Sequence, residues 1–104
     1  MTAAAVTAQP TKEQFSQQID QPFRASAPNG KEFDLSLVEF KDVLDTETQE
    51  TFTLLFRAPA EVAPEQGTYA VSNDGIGDQA IFLVPVNRDA DGVYLEAVYN
   101  RFKQ

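Results

Sequence analysis

Apolar and polar residues alternate along much of this chain, and the alternation predicts strands. The clearest stretch is Ile81–Phe102, IFLVPVNRDADGVYLEAVYNRF, where two apolar runs flank a turn over Asn87–Gly92. Asn, Asp and Gly favour tight reversals, so this stretch predicts a β-hairpin. Thr51–Arg57 (TFTLLFR) assigns Phe52, Leu54 and Phe56 to the core and Thr51, Thr53 and Arg57 to the outside. Lys31–Phe40 places Phe33, Leu35 and Leu37 on one face and Glu32, Asp34 and Ser36 on the other. Val38 and Phe40 break that phase, which predicts a bulge or a strand buried on both faces. Pro85 interrupts an apolar run; proline donates no ladder hydrogen bond, so it predicts an edge position or a bulge.

The remaining elements are shorter. Thr11 with Gln14 three residues on forms a capping-box pattern and predicts a short helix ending before Pro22. Phe15 and Ile19, four apart, would share a face of it. Gln21–Ala25 and Gly67–Ser72 predict short strands, and Ala27-Pro28-Asn29-Gly30 and Asn73–Asp78 predict turns. Lys41–Glu50 is polar and acidic and predicts a hairpin loop with its tip near Asp45–Thr48. Ala58–Gln66, with two prolines and two glutamates, predicts an irregular connection. Residues 1–10 predict a flexible arm, and 11–104 a single β-rich domain. No stretch supplies the helices of 10–15 residues that parallel crossovers use. The expected fold class is mainly β: a small antiparallel barrel or two-sheet roll of five or six strands with one short N-terminal helix.

Composition narrows the chemistry. The 104 residues are 42% apolar, with eight Phe and three Tyr, enough for a packed core. There is no Cys, hence no disulfide and no thiolate, and no His, the commonest general base and metal ligand. Sixteen acidic residues against eight basic ones give a formal charge of −8. That charge argues against nucleic acid and anionic membranes as partners and favours solubility. No apolar run of about 18 residues predicts a membrane span. The N-terminus lacks the basic and apolar regions of a secretory signal. The expected location is the cytoplasm, or a particle assembled there.

The candidate sites are few. Asp89-Ala90-Asp91-Gly92 looks like the start of a calcium loop, but the twelfth position is Asn100, without a bidentate carboxylate; a hairpin turn is the stronger reading. Asn73, Asp74 and Asp78 read as a solvated turn. Gly75-Ile76-Gly77 lacks the third glycine, the lysine and the helix of a phosphate loop. Glu96, between Leu95 and Ala97, is the one carboxylate in an apolar strand: partial burial would raise its pKa and suit acid–base work, while alternation, the stronger reading, turns it outward. Arg57 and Arg101 end apolar strands and are placed to pair with Glu96 or a loop carboxylate. No catalytic, cofactor-binding or metal-binding residue is assigned. Tyr94 and Tyr99 lie on opposite faces of the last strand, so one points inward. The other, with Phe102, either packs against the helix, the stronger reading, or offers an aromatic patch for a protein partner.

The pieces TFTLLFRAP, QGTYAV and IFLVPV-x-x-D-x-x-G-x-YLEAVYNR resemble a family of short, uncharacterised bacterial domains. The resemblance covers about residues 15–101, with Phe15 and Pro22-Phe23 matching its start and Tyr99 standing where phenylalanine is common. It implies no activity and no catalytic residue. It implies an accessory or assembly role, because genes of such domains often sit beside those for phage-tail-collar-like proteins.

The expected function is therefore a non-enzymatic protein-interaction or structural module, with a protein partner or self-association. The alternative is a small-ligand-binding β-barrel, since eleven aromatic residues could line a cavity. A carboxylate enzyme is the weakest reading.

Overall fold

The computed structural model describes residues 10–103. The chain order is helix α1 (Lys12–Ser16), then strands β1 (Pro22–Ser26), β2 (Glu32–Asp45), β3 (Gln49–Ala58), β4 (Gly67–Asn73), β5 (Gly77–Asp89) and β6 (Gly92–Phe102). The six strands close into one antiparallel barrel in the order β1-β2-β3-β6-β5-β4. The expected flexible arm falls on residues outside the described ones except for Pro10. That residue is buried, and its carbonyl accepts from Arg101 Nη1 at 2.9 Å.

The barrel consists of two three-stranded meanders joined along β3–β6 and β1–β4. In this ring β3 and β4 lie far apart, so residues 59–66 must cross a mouth of the barrel. Val62 packs on the core from this crossover. Arg88 fixes it, donating from Nη1 to the Ala60 carbonyl (2.6 Å) and from Nη2 to that of Val62 (2.8 Å). The opposite mouth is plugged by α1, whose Phe15 is fully buried.

Alternation explains the core. Phe23, Phe33, Leu35, Phe52, Leu54 and Phe56 are buried, as are Ile81, Leu83, Val93 and Leu95 on the later strands. Their neighbours on each strand face outward, because successive side chains of a strand point to opposite faces. No buried polar or charged residue is found among the described ones. The helix begins where expected: Thr11 Oγ1 accepts from the Gln14 amide, and the Gln14 side chain accepts from the Thr11 amide. It ends at Ser16, earlier than its spacing with Ile19 implied. Ile19 instead bridges to Leu37 in extended backbone and is 38% exposed.

Two expected boundaries are corrected. Lys41–Glu50 is mostly strand, since β2 and β3 pair out to Asp45↔Glu50 and only residues 46–48 form the loop. Polar residues hold strand there because both faces of this ribbon meet water, so no apolar alternation marks it. The terminal turn is likewise tighter than Asn87–Gly92: Asp89 pairs with Gly92, leaving two residues between them. Two irregularities fall where expected, and a third, the β2–β3 register shift between Asp42 and Leu44, lies where a loop was expected. The β2–β3 register shifts between Leu37 and Glu39, around Val38, and the β5–β6 register shifts between Pro85 and Asn87.

Candidate functional site

The barrel is closed unevenly, and the unevenness forms the candidate site. β6 pairs with β3 along its length, from Ala58↔Val93 to Gln49↔Phe102. β5 pairs with β4 from Gly67↔Leu83 to Asn73↔Gly77. Between them, β5 and β6 pair only from Val84↔Glu96 to Asp89↔Gly92. Residues 77–83 of β5 and 97–100 of β6 therefore face one another without a ladder among the described residues. A strand edge without a partner presents backbone donors and acceptors at which another strand can pair.

The seam contains a surface groove of about 320 Å³, whose walls include Ala80, Ile81, Phe82, Ala97, Val98 and Tyr99. Alternation puts Ile81 and Ala97 inside and Phe82 and Val98 outside. Phe82 is 54% exposed, Val98 61% and Phe102 83%. Extending the Val84↔Glu96 register down the seam would set Phe82 opposite Val98 and Asp78 opposite Phe102. Two features coincide with the lapse in pairing. Pro85 and the adjacent bulge lie just above the lapse, in the last stretch of ladder before it stops at Val84↔Glu96. At the lower end the aromatic rings of Phe15, Phe40, Phe52 and Tyr99 are gathered within the barrel.

Tyr99 is the inward tyrosine. Its ring lies against Phe52 and Phe15, and burial raises its hydroxyl pKa. Tyr94 points outward at the other end of β6. The Asp89 carboxylate hydrogen-bonded to it raises its pKa, because the tyrosinate would meet a like charge there. Phe102 shares the outer face with Tyr94 but lies eight residues along, about 26 Å in an extended strand. Tyr94 and Phe102 therefore do not form one patch. The outward apolar surface along this strand pair is supplied instead by Phe82 and Val98. The signal for them was present: Ile81–Val84 and Tyr94–Tyr99 carry apolar residues at both parities, more than one buried face needs.

The other candidates have structural roles. Asp89 Oδ1 accepts from the amides of Asp91 (2.8 Å) and Gly92 (3.2 Å), closing the hairpin turn. Asn73 Oδ1 does the same for Gly75 and Ile76, while Asn73 Nδ2 donates to Gln18 Oε1 and ties that turn to the segment after α1. Arg101 pairs with Glu50 (3.0 Å) and lies over the Phe52 and Tyr99 rings. Glu96 is outward and half-buried, beside Leu55 and Val84 in the ladders. Among the described residues no three acidic side chains are grouped to hold a metal ion.

A second concavity, about 510 Å³, lies by the mouth that residues 59–66 cross. Its lining includes Phe33, Tyr69, Val62 and the side chains of Lys31, Glu61 and Glu65. The Tyr69 hydroxyl donates to the Glu65 carbonyl, which ties the crossover to β4, and burial raises its pKa. The barrel interior beneath is filled by the core side chains.

The model of a protein family described as a domain of unknown function (DUF6916) matches residues 10–99. No curated protein and no solved structure matches the chain.

Proposed function

The chain belongs to the DUF6916 family, and from that premise we propose that it is a non-enzymatic interaction or accessory module whose partner docks at the β5–β6 seam. The observation that carries this reading is the lapse of pairing between residues 77–83 and 97–100, flanked by outward Phe82 and Val98. A monomeric surface places large apolar side chains beside an unpaired strand edge at a risk of aggregation, and a partner that covers both removes it. Strand addition supplies affinity through the main chain and specificity through alternate side chains. A role as accessory to a tail-like assembly suits such an adhesive domain, as does a cytoplasmic site of assembly. The absence of Cys and His throughout the sequence favours binding over catalysis. The ligand-binding alternative is weaker, because both concavities lie on the surface and the core beneath is packed.

The test compares tagged wild-type protein with a Phe82→Ser/Val98→Ser variant, each used to purify partners from the native host after crosslinking. The expected result is a protein recovered by wild type, crosslinked to the Phe82–Val98 face, and lost from the variant at unchanged thermal stability. Equal recovery by both proteins would overturn the reading.

A further inference from the structure

We propose that Asn29 is a site of spontaneous covalent self-modification in the folded protein: its side-chain amide closes onto the Gly30 backbone nitrogen, assisted by the Lys31 amide, and the ring then opens to aspartate and isoaspartate. The chain has four asparagines, Asn29, Asn73, Asn87 and Asn100, followed by Gly30, Asp74, Arg88 and Arg101. Ring closure brings an asparagine's Cγ onto the nitrogen of the next residue, so a side chain on that residue crowds the approach. Of the four followers Gly30 alone has none. No heavy atom lies within 4 Å of the place its Cβ would take, and its φ is +89°. Both residues stand exposed in the turn between β1 and β2.

The other three amides are engaged elsewhere. Asn73 Oδ1 accepts from Gly75 and Ile76, and its Nδ2 donates to Gln18. Asn100 Oδ1 accepts from the side chains of Gln49 and Thr51. Asn87 Oδ1 accepts from the Arg88 amide, the nitrogen that would have to attack its carbon. Asn29 Oδ1 accepts from the Lys31 amide at 3.0 Å. That bond polarises the side-chain carbonyl and steadies the oxyanion formed when a nitrogen adds to it, as backbone donors do in acyl transfer. The Gly30 N–H donates to the Ala27 carbonyl at 2.9 Å, so local opening of the turn must precede attack. The Gly30 nitrogen then gives its proton to solvent and bonds to Cγ. The bond from Cγ to the side-chain nitrogen breaks, and ammonia leaves with a proton from water. Water opens the ring at either carbonyl, so amide and water become carboxylate and ammonium overall. Either product sets a new negative charge beside Lys31 on the lip of the 510 Å³ concavity. Isoaspartate also lengthens the backbone within the turn that follows the Ser26↔Glu32 pair.

The test holds the full chain at physiological temperature and neutral pH, with circular dichroism following the fold. Samples are digested and read by mass spectrometry that separates asparagine, aspartate and isoaspartate. Conversion is expected at Asn29 ahead of Asn73, Asn87 and Asn100, with both products formed. Gly30→Ala should slow it at least about tenfold. Lys31→Pro removes the donor to Asn29 Oδ1 and keeps the Lys31 carbonyl that accepts from Ala27. It should slow the folded chain, and in urea it should react as wild type does. An Asn29 that stays intact in the folded chain while it converts in urea would overturn the proposal. So would another asparagine converting first, or equal rates for folded wild type and folded Lys31→Pro.

Discussion

Phe52 and Tyr99 face one another across the β3–β6 ladder, with ring centroids 5.0 Å apart and planes within 6° of parallel. The Arg101 guanidinium lies over both rings, 5.0 Å from the first centroid and 5.4 Å from the second. Phe15 completes the group, 5.2 Å from Tyr99 and 6.0 Å from Phe52. A helix of five residues has almost no stability of its own. Here α1 is held through this ring, through Lys12 on Asp42 and Asp45, and through the Pro10 carbonyl on Arg101.

Phe15→Ala should therefore cost about 3–5 kcal/mol, because it removes a fully buried aromatic ring and leaves a cavity. Urea unfolding followed by tyrosine fluorescence measures this. A loss below about 1 kcal/mol would show that α1 is not part of the core.

Gly92 tests a backbone contact. Its φ is +155°, and a Cβ there would stand 2.2 Å from the Ala58 carbonyl oxygen, a group the β3–β6 ladder holds in place. Gly92→Ala should destabilise by about 1–3 kcal/mol. Gly30→Ala has open space around it and should lose only about 1 kcal/mol, from its φ of +89°. Similar melting temperatures for the two variants would contradict the close approach.

The pH dependence of the α1 clamp follows from Asp45. Hydrogen bonds from Lys103 and Lys12 lower its pKa from 3.8 to about 2. A depressed folded pKa gives stability that is present above the unfolded value and lost as pH falls through the folded one. Wild type should thus exceed Asp45→Asn in melting temperature at neutral pH, and the difference should vanish between about pH 4 and about pH 2. Exposure keeps the effect small and sensitive to salt. A difference that persists undiminished at pH 2 would exclude the carboxylate charge as its cause.

Arg88 should control the crossover. Arg88→Ala frees two carbonyls at Ala60 and Val62 and should cost about 1 kcal/mol, with amide exchange accelerated over residues 59–66. Unchanged exchange there would show that Val62 packing alone fixes the segment.

The sequence was legible wherever one face of an element meets the core and the other meets water. That condition holds for Phe52, Leu54 and Phe56, for Phe33, Leu35 and Leu37, and for the Thr11–Gln14 cap, and all stand as their spacing requires. It fails for residues 41–45, where a ribbon exposed on both sides carries adjacent Val43 and Leu44 among charged residues and shows no alternation. Pro85 and Val38 marked the bulges because proline lacks a donor and a bulge shifts the alternation. The face of Tyr94 and Tyr99 was fixed to one choice of two, and the choice followed once Leu95 and Ala97 lay inside.

By itself the sequence determined the local periodicities: a mainly β chain, its turns, its capped helix, and a chemistry without thiol or imidazole. The hairpin turns marked consecutive strands as neighbours, and the tertiary structure alone decided the β3–β6 and β1–β4 pairings that close the ring. Alternation states which face of a strand is buried and says nothing of which edge is paired. The ring order, the burial of Phe15 in the mouth of the barrel and the open seam between residues 77–83 and 97–100 all depend on edge pairing between distant segments. That is why Phe82 and Val98 read as ordinary strand residues in the chain and as neighbours of an unpaired edge in the fold.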